Sequence, residues 1–342
     1  MKIRTVTLEE WDSMLPDRGA DVFHTPEALD VLDEYATGEL RLLGGFRGQE
    51  PVGLFPFFVR EQWSFRFVLS PPPGLSVPFL GPVLMSTSPK QRKQEKLNER
   101  FIEGTLAEID AEESRTLFGM GGCLDYTDPR PYLWEELNVA PRFSYVLDVA
   151  GRNQDELLGS FTSDLRSEIR KREELDVSID TEGPAQAERV CRNLKQRHVE
   201  QGLTYPTPES FSGDLVEALG DCARVYVARS PDGKFLSGIT ILYSNDKAMF
   251  WQGGTKADYE NVSVNSLLHW KIIEDIIEDS ALDSVERYDL GAVNNRRISR
   301  FKSKFNPELT PYYEVKSDLM VVAKKGYSLQ RHLAGRLESL KP

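Results

Sequence analysis

The alternation of hydrophobic and polar positions along the first half of the chain predicts a sheet with helices packed on it. Apolar runs at 40–47 and 51–60 flank a compact Gly-Gln-Glu turn, which is the pattern of a β-hairpin. Residues 88–110 carry an apolar position every three or four residues, which predicts a long helix capped by Ser88. The remaining predicted elements are helices at 8–14 and 27–35, strands at 63–69, 115–120 and 143–149, and a turn at 128–131.

The second half repeats this order of elements with little sequence identity. The elements predicted there are helices at 154–174, 182–201, 209–219 and 264–280, strands at 224–230, 235–244, 248–254, 284–290 and 312–323, and a basic loop at 291–304. The repetition predicts an α/β fold of the α+β mixed-sheet type, made of tandem units at 1–150 and 151–325. A charged helical tail is predicted at 326–342.

Composition and charge narrow the classes of function. The formal net charge of -12 and the pI of about 5.0 disfavour nucleic acids and anionic membranes unless a local basic patch overrides them; an acidic surface is also typical of salt-adapted hosts. The chain has no apolar run of 18 residues and no apolar run near its start, so we expect no transmembrane helix, no signal peptide and a cytoplasmic protein. Cys123, Cys191 and Cys222 are widely spaced and the four histidines lack metal-ligand spacing, which predicts free thiols and no metal site.

Six short segments of the second half resemble one known family in their order and spacing. They are Phe161-Thr162-Ser163-Asp164-Leu165-Arg166-Ser167-Glu168-Ile169-Arg170-Lys171, Gly238, Trp251-Gln252-Gly253-Gly254, Asn265-Ser266-Leu267-Leu268-His269-Trp270, Tyr288-Asp289-Leu290-Gly291 and Arg300-Phe301-Lys302-Ser303-Lys304-Phe305. Together they resemble the FemAB-like (BioF2-like) branch of the GNAT acetyltransferase superfamily, and residues 23–26, 52–56 and 128–132 resemble it more weakly. The resemblance implies paired GNAT-like units, each a twisted mixed sheet flanked by helices. It also implies direct transfer of an acyl group from an activated donor to an amine.

The segment that should face the donor departs from the common GNAT pattern. Ordinary GNAT enzymes hold the pyrophosphate of coenzyme A on a glycine-rich loop before a helix, where exposed backbone N–H groups contact the phosphates. Residues 255–264 contain no glycine and include Asp258 and Glu260. We therefore expect weak binding of coenzyme A and no tightly bound cofactor, and the acyl donor stays open between acyl-CoA and aminoacyl-tRNA.

Two basic clusters are candidates for contact with a phosphate-bearing substrate. Arg166 and Arg170 are four residues apart and share one face of a predicted helix. No acidic residue lies between Asp289 and Glu308, and this stretch contains Arg296, Arg297, Arg300, Lys302 and Lys304. Each cluster could instead be a solvated face that pairs with acidic neighbours, and both interpretations stay open.

The resemblance implies a catalytic lysine at Lys302, where relatives carry a lysine in the cleft. A lysine beside the reacting carbonyl can offer positive charge to the developing oxyanion or to a phosphate. The residues predicted to bind substrate are Arg166, Arg170, Tyr205, Trp251, Asn265, Asp289, Arg297 and Arg300. The predicted function is acyl or aminoacyl transfer to an amine of a cell-envelope precursor, a polysaccharide precursor or a peptide. The alternative is a non-catalytic GNAT-like binding module in a surface-polymer pathway, and the oligomeric state is left open.

Overall fold

A computed structural model describes residues 1–85, 88–253 and 256–323 of the chain. Its first half contains the strands β1 (Lys2–Thr5), β2 (Glu39–Arg47), β3 (Glu50–Gln62), β4 (Phe65–Ser70), β5 (Val83–Leu84), β6 (Thr116–Gly121) and β7 (Asn138–Asp148). The helices of this half are α1 (Leu8–Met14), α2 (Pro26–Tyr35), α3 (Gln91–Glu108) and α4 (Arg130–Trp134).

The second half has the same alternation of strands and helices. Its strands are β8 (Ser178–Glu182), β9 (Ala223–Arg229), β10 (Phe235–Ser244), β11 (Lys247–Gly253), β12 (Asp258–Tyr259), β13 (Val262–Ser263), β14 (Arg287–Ala292) and β15 (Glu308–Lys316). Its helices are α5 (Gln154–Ser160), α6 (Ser163–Arg170), α7 (Arg172–Leu175), α8 (Pro184–Glu200), α9 (Glu209–Leu219), α10 (Val264–Glu278) and α11 (Arg296–Lys302). The mixed sheet with flanking helices that the sequence predicts is therefore present.

One 13-stranded sheet runs through both halves, in the order β1-β2-β3-β4-β6-β15-β7-β14-β11-β10-β9-β8, with β5 paired to β3. This order is symmetric about its centre. Read from the other end, β8, β9, β10, β11, β14 and β7 take the places of β1, β2, β3, β4, β6 and β15. The two halves exchange one strand each. Strand β15 of the second half pairs with β6 of the first half, and β7 of the first half pairs with β14 of the second half. The boundary predicted near residue 150 stays a prediction, since the sheet itself crosses it.

Two parallel strand pairs interrupt the otherwise antiparallel pairing of the described strands. They are β4 with β6 and β11 with β14. The second pair has only three registered positions, from Lys247 opposite Arg287 to Met249 opposite Asp289, and then the strands separate. We call the gap between residues 250–253 and 290–292 the C-terminal split, and the equivalent gap beyond the ends of β4 and β6 the N-terminal split.

The chain itself fills the N-terminal split. Leu80 N–H donates to Gly121 O at 3.0 Å, and Gly81 N–H donates to Ser70 Oγ at 3.0 Å. Gly81 has φ +45°, and a Cβ there would lie 2.8 Å from the Cα of Gly122. Hydrogen bonds from the backbone of residues 80 and 81 thus occupy the space between these two strand ends.

Gly81→Ala is expected to destabilise the protein by about 1–3 kcal/mol, because an L side chain is strained at this φ and meets backbone. Gly159→Ala is the matched control, since its Cβ would meet nothing within 4 Å and alanine favours a helix interior. Urea denaturation of both variants checks this, and an unchanged stability of Gly81→Ala would contradict the tight packing of this segment.

A buried ionic network joins the two halves at the opposite end of β11. Lys247 is 1% exposed and its Nζ lies 2.5 Å from Asp21 Oδ1 and 3.1 Å from Asp125 Oδ2. Arg287 continues the network to Asp125 at 2.9 Å and to Asp246 at 2.5 Å. Burial disfavours the charged amine, yet the carboxylates of Asp21 and Asp125 hold the pKa of Lys247 above its ordinary value.

Several predicted helix bounds are wrong for local reasons. The helix expected over 88–110 begins at Gln91, because Ser88 caps a turn through Lys90 N–H (3.3 Å) instead of the helix. The helix expected over 154–174 is three short helices, because the backbone is extended at Phe161 and Thr162. The turn expected at 128–131 passes into the first residues of α4.

The strand predictions also need correction. Strand β8 was not predicted, and the loop expected at 291–304 contains α11, which begins because the side chain of Asn295 accepts from Arg297 N–H at 2.9 Å. The closing strand expected over 312–323 spans Glu308–Lys316 and gives way to helix at 318–323. There Ser317 Oγ accepts from Met320 N–H at 3.4 Å. The predicted tail at 326–342 lies outside the described residues.

Two apolar clusters form the core, one centred on the first half and one on the second. The first extends across the halves, since Phe23 packs against Trp251 of β11. Within the described residues no helix combines the length and apolarity needed to cross a membrane. The second cluster lies beneath the C-terminal split and supports it.

Candidate active site

Lys302, the last residue of α11, places its amine in the C-terminal split. The residue is only 6% exposed, its Nζ donates to Ala292 O at 3.3 Å, and it lies 5.0 Å from the centroid of the Phe250 ring. An ammonium group has three donors, and within the part of the chain that the structure describes Lys302 makes one hydrogen bond. The amine therefore has spare donors to offer to a substrate in the split.

Gly291 makes room for this amine. It has φ +80°, and a Cβ at this position would lie 3.3 Å from Lys302 Nζ and 3.3 Å from Phe250 O. Any larger residue would be strained at this φ and would also crowd the amine. The glycine of the Tyr-Asp-Leu-Gly segment is thus explained by the close approach of Lys302.

An aromatic cluster fixes α11 against α10. The Phe305 ring is fully buried and lies 5.9 Å from Phe301 and 5.3 Å from His269. His269 Nδ1 lies 2.7 Å from Tyr288 OH. Burial, with a contribution from the charge of Lys302, lowers the pKa of His269 to about 3, so this ring is neutral. The cluster gives Lys302 a rigid base, which a positioned cation requires.

The electrostatics of Lys302 differ from those of an exposed lysine. Burial lowers its pKa to about 8, while the negative charge of Asp289 acts in the opposite direction. The side chain is therefore protonated near neutral pH and loses its charge as the pH rises through about 8. Such perturbed groups in clefts are typical of functional sites.

Residues of both halves form a polar cluster beside the end of β11. Trp251 is the extra residue of a β-bulge, since the register jumps from Phe250–Ile241 to Gln252–Thr240. Trp251 Nε1–H donates to Ser76 O at 2.6 Å, and Gln252 Nε2–H donates to Tyr205 OH at 3.2 Å. Tyr205 OH also contacts Ser76 Oγ. Ser76 thus links Tyr205 and Trp251 into one cluster, and the roles of these two residues in substrate binding stay predictions.

The other predicted residues fall in different places. Arg166 is half-buried and donates to Gly159 O at 2.9 Å and Phe161 O at 2.8 Å, so it secures the end of α5. Arg170 is exposed, as are Arg297 and Arg300 on the outer side of α11. The roles of these residues in substrate binding stay predictions.

The first turn of α10 has a carboxylate beside it where a phosphate would be expected. Asn265 Oδ1 accepts from Ser237 Oγ at 2.9 Å, and Ser266 Oγ donates to Glu168 Oε2 at 2.7 Å. Lys304 Nζ lies 2.6 Å from Asp164 and 3.7 Å from Glu168. An internal anion therefore occupies the surroundings of this helix end.

Sequence reasoning missed Ser76 and gave no role to Gln252 and Glu168, although these two lie in segments that carry the family resemblance. Their contacts join residues from 40 to more than 170 positions apart. Among the described residues no group of three or more His, Cys, Asp or Glu side chains has an arrangement that could hold a metal ion.

The comparison with known families decides the class of the second half. The sequence model of the family described as "Acetyltransferase (GNAT) domain" matches residues 159–303. This part of the chain is thus similar in sequence to GNAT acetyltransferase domains. The matched region contains all of β11, α10, β14 and α11, so the C-terminal split lies within it. The search of curated proteins gives no significant match.

Solved structures extend the likeness from the GNAT domain to the whole chain. FemX superposes with a TM-score of 0.67 at 11% identity, over 92% of this chain and 97% of that one. A conserved protein of unknown function from Bacteroides thetaiotaomicron gives 0.57 at 12% identity, over 92% and 99% of the two chains. A tandem GNAT protein from the clavulanic acid biosynthesis pathway gives 0.52 at 10% identity, over 92% and 98%. The predicted FemAB-like GNAT resemblance and the tandem GNAT-like fold are thereby confirmed.

Proposed function

We propose that this chain is an acyltransferase that moves an acyl or aminoacyl group to an amine, with Lys302 as its catalytic cation. The observation that carries the proposal is the buried amine of Lys302, which has spare donors inside the C-terminal split of a GNAT domain. Lysines are rarely buried this deeply, so this placement favours a role in binding or catalysis.

The geometry supports one order of events. The donor carbonyl enters the split, and the acceptor amine approaches from the side of Trp251 and Tyr205. The amine nitrogen bonds to the carbonyl carbon, and the Lys302 ammonium stabilises the resulting oxyanion. When the intermediate collapses, the bond from carbon to the leaving oxygen or sulfur breaks, and the proton of the amine passes to the leaving group or to water. The acceptor we propose is an amine of a cell-envelope precursor, a polysaccharide precursor or a peptide, in the cytoplasm.

The surroundings of α10 favour an ester donor over a thioester of coenzyme A. Glu168 lies beside the helix end at which a GNAT domain would bind pyrophosphate. Lys304 contacts both Glu168 and Asp164, so the second carboxylate is also near this helix end. These two carboxylates share the single cation of Lys304, so a net negative charge remains there to disfavour a doubly charged pyrophosphate. The exposed Arg297 and Arg300 on α11 could instead contact the phosphates of a charged tRNA near its acceptor end.

Wild-type protein is therefore expected to bind coenzyme A weakly. Glu168→Gln keeps an acceptor for Ser266 Oγ but removes the charge, and we expect it to tighten coenzyme A binding about tenfold, equivalent to ~1.4 kcal/mol. Isothermal calorimetry measures both values. The matched control is Glu174→Gln on the exposed surface of α7, which should change nothing. Tight, saturable binding of coenzyme A to the wild type would contradict this donor preference.

Thermal melting with candidate donors tests the function as a whole. A ligand at 100 times its dissociation constant stabilises the native state by roughly 2.7 kcal/mol, so coenzyme A, acetyl-CoA and charged tRNA can be compared directly. Turnover is then measured with the donor that stabilises. Binding without turnover towards any amine would favour the non-catalytic binding module.

A further inference from the structure

Asp289 has a buried carboxylate that takes no part in the proposed reaction. It is fully buried at the point where β14 leaves β11. Its Oδ1 accepts hydrogen bonds from Ser144 Oγ at 2.5 Å and from Gly291 N–H at 2.8 Å, whereas its Oδ2 has no hydrogen-bond partner among the described residues. Burying a carboxylate with an unsatisfied oxygen costs folding free energy, which makes a functional role for this group the simplest explanation.

Gly291 connects this carboxylate to Lys302. The N–H of Gly291 donates to Asp289 Oδ1, and a Cβ on Gly291 would lie 3.3 Å from Lys302 Nζ. The register between β14 and β7 also shifts between Asp289 and Ala292. The hydrogen bond from Gly291 thus holds the left-handed turn that bends β14 away from β11 and leaves space for the amine.

We propose that Asp289 is the positioning residue of this site, holding the Gly291 turn and supplying the buried negative charge that keeps Lys302 protonated. The role rests on the proposed acyl transfer. It gives Asp289 no contact with the reacting atoms, unlike the substrate-binding role predicted from the sequence.

The charged groups around the amine determine the direction of the effect. Asp289 on β14 approaches Lys302 through Gly291, which donates to Asp289 Oδ1 and lies against Lys302 Nζ. The neutral His269 on α10 packs on Phe301 of α11, and the Tyr288 hydroxyl contacts its ring. Burial raises the pKa of Asp289, and the charges of Lys247 and Lys302 together with its two hydrogen bonds lower it. Lys302 is protonated below its pKa of about 8. Removing the negative charge of Asp289 must therefore move the loss of the proton from Lys302 to lower pH.

Asp289→Asn isolates the charge from the hydrogen bonds. The amide oxygen can still accept from Ser144 and Gly291, and its NH2 group takes the place of the unpartnered Oδ2. Ser144→Ala is the matched control, because it removes one hydrogen bond and leaves the charge. In full-length protein with isotope-labelled lysine, NMR follows the titration of Lys302, and Lys302→Arg identifies its resonance.

We expect the Lys302 midpoint to move to lower pH in Asp289→Asn and to stay in place in Ser144→Ala. The high-pH decline of turnover should move with it. An unchanged midpoint in folded Asp289→Asn would overturn the proposal. Should that variant not fold, the carboxyl resonance of Asp289 in the wild type decides, since a protonated Asp289 at pH 7 would overturn it equally. Neither result depends on turnover, so a failure of the proposed acyl transfer would be seen separately in Lys302→Ala.

Discussion

Lys302→Ala is expected to lower turnover about tenfold or more, on the order of 1.4 kcal/mol in the activation barrier, while the melting temperature barely changes. The amine contributes positive charge inside a largely water-excluded split, where it acts on an oxyanion more strongly than an exposed cation would. Alanine leaves the aromatic cluster of Phe301, Phe305 and His269 in place, so α11 should keep its position.

The control for this variant is Lys304→Ala, two residues further along. Lys304 pairs with Asp164 at 2.6 Å and points to α6, so its removal should affect turnover much less. Steady-state kinetics of both variants with the same donor and amine provide the measurement. The pH dependence is a second test. Because only protonated Lys302 can stabilise the oxyanion, wild-type turnover should fall as the pH rises through about 8. Equal turnover in the wild type and both variants would eliminate Lys302 as a catalytic group.

Lys247→Met is expected to cause the largest loss of stability, about 3–5 kcal/mol. The methionine has a similar volume, yet it leaves the fully buried carboxylate of Asp21 and the partly buried carboxylate of Asp125 without their shared cation. Uncompensated charge in the interior is costly, and this network also joins the two halves of the chain.

Urea denaturation of Lys247→Met and of Arg18→Ala compares the loss of a buried ion pair with the loss of an exposed ion pair. Arg18 pairs with Glu286 at 2.5 Å across the same two halves, but both side chains are largely exposed. Surface pairs contribute little to stability, so Arg18→Ala should leave the denaturation midpoint unchanged. A loss in Lys247→Met no larger than in this control would show that the network does not hold the halves together.

The sequence predicted those parts of the fold that local patterns determine. The hairpin of β2 and β3 was recognisable because its apolar runs flank a short turn, and α2 because Thr25 and Pro26 mark its start. The helix α11 was missed since Arg296, Arg297 and Arg300 suggested a solvated loop, although Asn295 provides a cap. Periodicity is a weak guide for a helix of seven residues with few apolar positions.

The site could be predicted only where the family resemblance marked its residues. Lys302 and Asp289 came from short motifs, but the cause of their proximity is the turn at Gly291 and the short register of β11 with β14. The placement of Ser76 beside Trp251 and of Glu168 beside Ser266 follows from long-range packing of separate elements. Such contacts leave no periodic signal in one sequence.

The exchange of β7 and β15 between the halves has a consequence for how the chain reaches its native state. During synthesis β6 and β7 are made early, but the strand that separates them, β15, ends at Lys316. Until then β7 has neither of its neighbours, because β14 is also still to come. The first half therefore waits on the ribosome with unpaired strand edges, which are prone to aggregation. The sheet can be completed only after β15 has been made, near the end of translation.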